Sequence, residues 1–309
     1  MLSRLAESLY WVGRYIERAE DTARILDVHY QLVVEGPTLD EAVVWSNLME
    51  VMGTGLPEGV VANARTTTNL LAYDLSSSSS ILGALAAARA NAAGAREAIS
   101  AQMWECINAT FFELEELLEE TDRSGPHRFF GYVKERSAVV QGLVDSTMSH
   151  DDGWRFLVLG RHLERADMTA RLLTARLAEG VGATGWVTTL RCCSAHEAYL
   201  RAYRRAVDAS LVVEFLLLDR LFPRSVYSAL GAAEGALTAL SPNVGRFGVE
   251  DEARRILGRA RNDLEFRRAS ELLRDLPQHL ADIQAACAAA HVAVADRYFR
   301  LTSVIEWSA

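Results

Sequence analysis

The stretch GRYIERAEDTAR at residues 13–24 decides the fold, because it returns almost unchanged as GRHLERADMTAR at residues 160–171. Eight of the twelve positions are identical, whereas unrelated segments of average composition share about one. A second pair of segments, residues 71–88 and 216–233, matches at an offset of 145, close to the 147 of the first pair. Two matches at nearly equal offsets predict a tandem duplication, with a first repeat at residues 1–150 and a second at residues 154–309.

The residues around these matches predict helices. Apolar residues recur every three or four positions from Leu5 to Leu26, which is the period of a helix that buries one face. No segment alternates apolar and polar residues between turn signals, as a strand would. The predicted helices cover residues 3–34, 38–52, 57–74, 81–121 with a bend near Gly94, 127–148, 154–179, 186–220, 225–240, 249–275 and 277–305.

The sequence therefore predicts an all-α protein, a tandemly duplicated helical bundle of about nine to ten helices. Two copies that each begin with a long helix can pack those helices together in an up-down bundle. We expect the helices at residues 3–34 and 154–179 to contact each other, with two pseudo-symmetric halves packed as one compact unit. Gly13 and Gly160 lie inside these helices, where glycine is unfavourable unless another helix approaches closely.

The charged residues of the duplicated stretch share one side of each helix. Three interpretations are open: a solvated face whose pairs each contribute a few tenths of a kcal/mol, a buried structural array, and a site where arginines grip a carboxylate or phosphate. The charged positions match between copies as well as the apolar ones, which favours burial, since a buried unpaired charge is costly. The array and the ligand site remain equal candidates. The candidate residues are Arg14, Glu17, Arg18, Asp21, Arg24, Arg161, Glu164, Arg165 and Arg171.

Two serines occupy matching positions before apolar helix starts. Ser80 precedes Ile81, and Ser225 precedes Val226. Both are predicted to cap the following helix. The alternative is an anion site at these helix N-termini, with Arg224 beside Ser225.

Composition and missing motifs exclude several classes of protein. The net charge is −9, so a global basic field for nucleic acid is absent. No run of about 18 apolar residues predicts a membrane span, and the N-terminal residues lack the pattern of a signal peptide, so we expect a cytoplasmic protein. The four cysteines show no C-x-x-C spacing and are expected to be buried, inert thiols.

Catalytic and metal-binding motifs are also missing. The sequence contains no phosphate-binding G-x-x-x-x-G-K-[ST], no G-x-S-x-G and no H-E-x-x-H. It has no Glu-x-x-His either, so the ligands of a di-metal helical bundle are lacking. We therefore expect no metal and no cofactor.

Four segments together resemble the bacterial Alpha-E family, a predicted all-helical domain named for its Glu-Arg motif. They are YWVGRYIERAEDTAR at residues 10–24, QMWE at 102–105, LGRHLERAD at 159–167 and FPRSV at 222–226. The resemblance extends over essentially the whole chain. It departs from the family's pattern at the serine run 76–80, where a more varied loop is expected.

The resemblance implies partners. Alpha-E proteins are associated with circularly permuted ATP-grasp proteins and with transglutaminase-like peptidases, thought to form a peptide-ligating or peptide-modifying system. One hypothesis is then a non-catalytic helical subunit that docks on an ATP-grasp ligase and helps to hold its peptide or carboxylate substrate. The other is a stand-alone enzyme in which Glu17 and Glu164 act as acid-base groups beside substrate-binding arginines.

Overall fold

The computed structural model describes residues 1–35, 40–178, 183–242 and 246–300. Within these ranges the protein is all-α and has no strand, as predicted, but it has more helices than the nine to ten expected. They are α1 Ser3–Glu35, α2 Glu41–Met52, α3 Ala64–Thr68, α4 Ile81–Gly94, α5 Ala101–Ser124, α6 His127–Thr147, α7 Asp152–Ala178, α8 Ala183–Cys192, α9 His196–Tyr203, α10 Ala209–Leu218, α11 Val226–Leu240, α12 Glu252–Phe266, α13 Ala269–Leu272 and α14 Leu276–Val294.

Helices α1 and α7 form the centre of the fold and pack against each other along their length, as the sequence predicts. Around α1 lie α4 and α6, with α5 packed between them; around α7 lie α11 and α14, with α12 packed between them. Because neighbours cover α1 on several sides, its buried residues include charged ones as well as the apolar stripe. The burial of charged positions that the matching copies favour is seen on this helix at Glu17, Asp21 and Arg24.

Two glycines set the distance between α1 and α7. A Cβ atom at Gly13 would lie 2.2 Å from the carbonyl oxygen of Leu157, and one at Gly160 would lie 2.0 Å from that of Tyr10. Both obstacles are backbone atoms, which a side-chain rotation cannot move. The close helix contact predicted from these glycines is confirmed, and the two contacts are reciprocal.

Several predicted helices are interrupted. The helix expected at residues 81–121 ends at Gly94, and α5 starts anew where the Ser100 side chain accepts a hydrogen bond from the Met103 amide. The helix expected at 186–220 is divided into three because Ser194 and Arg204 adopt left-handed backbone conformations. Neither residue is a glycine, so the sequence carries no strong signal for these breaks.

Three other boundaries differ from the predictions. The segment 57–74 is helical only from Ala64, followed by a π-helical turn at Asn69–Tyr73. The helix expected at 249–275 ends at Phe266, before the short α13. Asp40, which directly precedes α2, caps it. Thr38, where this helix is predicted to begin, lies outside the described residues. The predicted end of the last helix, at residue 305, also lies outside them.

The cysteines and tryptophans belong to the core. All four cysteines are buried and free, and burial raises the pKa of the Cys193 thiol to about 12, so the inert thiols expected from the sequence are confirmed there. Trp45 and Trp186 are buried, and Trp11, Trp104 and Trp154 pack against the core; Trp307 lies outside the described residues. Among the helices described, none is long and apolar enough to cross a membrane.

Candidate functional site

Two groups of charged side chains lie along the contact between α1 and α7. The first, which we name the closed cluster, consists of Glu17, Glu20, Asp21, Arg24, Arg165 and Arg224. The second, which we name the open cluster, consists of Arg14, Arg18, Glu164, Asp167 and Arg171.

Glu17 is the centre of the closed cluster and is wholly buried. The Arg165 guanidinium donates from Nε to Oε1 at 2.7 Å and from NH2 to Oε2 at 2.9 Å. Arg224 donates to Oε1 at 2.8 Å, and Gln141 donates to Oε2 at 3.0 Å. Both carboxylate oxygens therefore accept two hydrogen bonds, and at Oε1 both donors are charged.

Arg224 connects three carboxylates of the closed cluster. It comes from the loop before α11, and besides Glu17 it donates to Asp21 and to Glu20, each at 2.6 Å. Arg24, one turn further along α1, also pairs with Glu20 and with Asp21. Three carboxylates and three guanidiniums thus balance in charge inside the protein.

The pKa values follow from this arrangement. Burial alone raises the pKa of Glu17, but the Arg224 and Arg165 guanidiniums hold it well below its usual range. Burial also raises the pKa of Asp21, to about 6. The negative charges of Glu17 and Glu20 add to this rise, and the Arg224 and Arg24 guanidiniums oppose it. Glu17 is thus a permanently ionised partner for the arginines.

Glu164 has the corresponding place in the open cluster. Arg14 donates from Nε to Oε2 at 2.6 Å; Arg18 donates from Nε to Oε1 at 2.6 Å and from NH2 to Oε2 at 3.1 Å. Burial alone would raise the pKa of Glu164, but the Arg14 and Arg18 guanidiniums together outweigh burial and lower the pKa to about 2. Asp167 pairs separately with Arg171, at 2.7 Å.

The two Glu-Arg dipeptides, at residues 17–18 and 164–165, exchange partners across the helix pair. Arg165 binds Glu17, and Arg18 binds Glu164. Each arginine then reaches a backbone carbonyl in the loop before a neighbouring helix: Arg18 donates to Ser78 at 3.2 Å and Arg165 to Pro223 at 3.4 Å. The motif therefore joins both central helices to the loops that precede α4 and α11.

A pocket of roughly 260 Å³ opens on the open cluster. Besides the five cluster residues, it is lined by Met52, Gly53, Ser79 and Met168. Of the two ion pairs between α1 and α7, only Arg18–Glu164 borders this pocket, because the Glu17 carboxylate is closed to solvent. The deep pocket lined by both pairs that an acid-base enzyme would need is not formed at this contact.

Three further candidates lie outside the two clusters. Arg161 faces Asp145 at 3.7 Å. Ser80 and Ser225 are wholly buried; each hydroxyl donates to a backbone carbonyl, of Asp74 or Asp219, and accepts from an amide of the helix it caps. Both serines cap their helices as predicted, and Arg224, beside Ser225, donates to Glu17, Asp21 and Glu20.

Sequence reasoning missed several members of these clusters. Glu20 and Asp167 are both acidic at matching positions of the duplicated stretch, a signal that could have revealed them. Gln141 comes from α6, and nothing in its local sequence marks it. Ser79 aligns with Arg224 in the second match, so this difference between the copies was visible in the sequence.

Comparison with known families gives the Glu-Arg motif a context. The model of the Alpha-E family, described as a predicted alpha-helical domain with a conserved ER motif, matches residues 1–299. The chain belongs to the Alpha-E family. In this Alpha-E protein, the two Glu-Arg dipeptides of the duplicated stretch are the centres of the closed and the open cluster.

The relatives of this Alpha-E protein include uncharacterized mycobacterial proteins. One from Mycobacterium tuberculosis strain H37Rv is 26% identical over 317 aligned residues, covering 91% of this chain and 35% of the relative. A protein of Mycobacterium bovis matches with the same identity and coverage. The chain thus spans about a third of the length of these curated relatives. No solved structure matches it.

Proposed function

We propose that this Alpha-E protein is a non-catalytic helical subunit of an ATP-grasp-linked system that ligates or modifies peptides. One observation supports this role above all. The carboxylates of Glu17 and Glu164, the best candidates for acid-base chemistry, are buried and occupied by arginine donors. Groups held in this way stabilise a structure and have no free position for a substrate proton.

The pKa values argue against the alternative, a stand-alone acid-base enzyme. A general acid or base works best when its pKa lies near the operating pH. The pKa of Glu164 is lowered to about 2, and that of Glu17 is also lowered. Neither side chain carries a proton to donate at neutral pH, and both are weak bases there.

The proposed partner follows from the Alpha-E resemblance and from what the chain lacks. Phosphoryl transfer needs a cradle for phosphates and carboxylates that hold Mg²⁺, and the sequence has no phosphate-binding loop motif. An ATP-grasp ligase would supply both, and a transglutaminase-like peptidase would act in the same system. The greater length of the mycobacterial relatives agrees with a domain that works beside other domains. We place the system in the cytoplasm, where ATP is present.

We also infer that the fold arose by duplication of a half-size unit. The reciprocal glycine contacts, the exchanged Glu-Arg pairs and the equal order of helices around α1 and α7 support this inference. The halves would correspond to residues 1–150 and 154–309.

A surface for the ligase is proposed beside the ion pair of Arg220 and Glu265, whose side chains meet at 2.6 Å. Leu221 and Phe266 directly follow these two residues and are 92% and 83% exposed. Large exposed apolar side chains mark a protein interaction surface when they lie together. Because both are exposed, their substitution leaves the core untouched.

The experiment is capture of the tagged full-length protein from its native host, followed by an ATP-turnover assay on the purified complex. We expect an ATP-grasp protein to be retained, and ATP turnover by the complex but not by the isolated chain. The double variant Leu221→Asp, Phe266→Asp should lose the partner, whereas Phe247→Asp, at an equally exposed phenylalanine (83%), should retain it. ATP turnover by the isolated chain that disappears in Glu164→Gln would contradict the proposal.

A further inference from the structure

The open cluster lacks two charged side chains that the closed cluster contains. By the sequence match, Glu164 corresponds to Glu17 and Asp167 to Glu20, but Met168 stands where the first copy has Asp21. In the second match, Ser79 stands where the other copy has Arg224. The position from which Arg224 fills the closed cluster is thus held by a short side chain in the open cluster, and the pocket lies there.

The charges that line this pocket do not balance. Three arginines, Arg14, Arg18 and Arg171, face only two carboxylates, Glu164 and Asp167. The excess positive charge of the open cluster comes from Arg14, which binds Glu164. In the closed cluster the corresponding hydrogen bond to Glu17 comes from Gln141, which is uncharged. An electropositive pocket in a protein of net charge −9 selects for an anion.

Hydrogen-bond donors in the pocket are available for a ligand. Arg171 uses Nε to bind Asp167, and within the described residues its two terminal nitrogens have no hydrogen-bond partner. The Arg171 side chain is 39% exposed. Its NH1 atom lies against the wall formed by Gly53, where an added Cβ would be 3.2 Å away. A guanidinium with both terminal nitrogens free presents a fork that matches the two oxygens of a carboxylate.

We propose that the open-cluster pocket binds one carboxylate group of a peptide, with Arg171 as the main donor and Ser79 as the residue that keeps the pocket open. This inference deepens the proposed function, and it rests on it only in taking the chain as a binding subunit. A single carboxylate neutralises the one excess positive charge. A phosphate dianion would leave net negative charge beside Glu164 and Asp167, and a cation would add to the excess.

The test uses the isolated full-length chain and three small probes, with binding followed by NMR. Acetyl-Gly-Gly carries a chain-end carboxylate, acetyl-Asp amide carries a side-chain carboxylate, and acetyl-Gly-Gly amide is the neutral control. Inorganic phosphate is the competing anion. We expect saturable binding of a carboxylate probe, no binding of the neutral control and weaker binding of phosphate. The stronger of the two carboxylate probes identifies the source of the group.

Three variants locate the site. Arg171→Ala should weaken carboxylate binding by about tenfold or more, since it removes a hydrogen bond between charged groups. Arg267→Ala is the matched control, because Arg267 is also 39% exposed and also pairs with an aspartate four residues away; it should bind as the wild type does. Ser79→Met fills the pocket with an uncharged side chain and should abolish binding while the protein stays folded.

The outcomes that overturn the inference are distinct from those that overturn the proposed function. Equal binding of acetyl-Gly-Gly and its amide, tighter binding of phosphate, or unchanged binding in Ser79→Met would each refute the carboxylate site. None of these results bears on whether an ATP-grasp protein is captured. Conversely, loss of the partner with carboxylate binding intact would leave the site standing and refute the subunit role.

Discussion

Glu17 and Arg165 lie 148 positions apart in sequence and form a two-point ion pair, with Nε to Oε1 at 2.7 Å and NH2 to Oε2 at 2.9 Å. Glu164 and Arg18 form the same kind of pair in the opposite direction. The Glu-Arg motif is therefore used twice at one helix contact, where each copy completes the other.

Removal of Glu17 should strongly destabilise the protein. Glu17→Ala leaves Arg165 and Arg224 buried without their shared carboxylate, and breaking a buried pair in this way costs about 3–5 kcal/mol. Denaturant unfolding measures the change. The control is Glu252→Ala, at an exposed side chain paired with Arg255, which should change the unfolding free energy by less than about 0.5 kcal/mol. Similar small changes in both variants would contradict the buried array.

The glycine contact gives a second prediction. Gly13→Ala places a methyl group against the backbone of Leu157, so α1 and α7 must separate, at a cost of about 1–3 kcal/mol as in other overpacked cores. Gly142→Ala is the control within α6, since an added Cβ there meets nothing within 4 Å. It should be neutral or stabilising by up to about 1 kcal/mol. A melting temperature of Gly13→Ala that matches or exceeds that of Gly142→Ala would show that close packing against α7 does not explain Gly13.

Exchanging the residues at the two matched positions, Arg224 and Ser79, should change the unfolding free energy by different amounts. Arg224→Ser leaves Glu17, Glu20 and Asp21 with one fewer arginine, and we expect a loss of about 3–5 kcal/mol in unfolding free energy, the usual cost of breaking a buried pair. Ser79→Arg adds a guanidinium at an open pocket and should leave stability near that of the wild type. Calorimetry of the two variants checks this difference, and equal destabilisation would refute it.

Acid should weaken the fold through Glu164. Its pKa is lowered from 4.5 to about 2 in the folded protein, so its stabilising contribution is present above pH 4.5 and is lost as the pH falls towards 2. Glu164→Gln removes this titration. The variant should be less stable at neutral pH, and its unfolding free energy should decline less between pH 4.5 and 2. A decline as steep as in the wild type would show that Glu164 is not responsible.

The sequence predicted the central part of the fold because two signals, the helical period and the repeated charges, can be read from the sequence alone. A continuous helical period from Leu5 to Leu26 predicted α1 within a residue at each end, and matching charges in the two copies indicated burial. The partner of Glu17 on the loop before α11 was out of reach, because Arg224 lies 207 positions away. The break at Arg204 was also missed, since Arg204 ends α9 in a left-handed conformation that glycine or asparagine usually adopts.

The Glu-Arg pairs hold α1 and α7 together from inside the protein. A double-mutant cycle of Glu17→Gln and Arg165→Met, followed by denaturant unfolding, measures this directly. We expect the double variant to be more stable than the sum of the single losses implies, with a coupling of about 1–3 kcal/mol. A coupling within experimental error of zero would show that the two side chains act independently and do not join the helices.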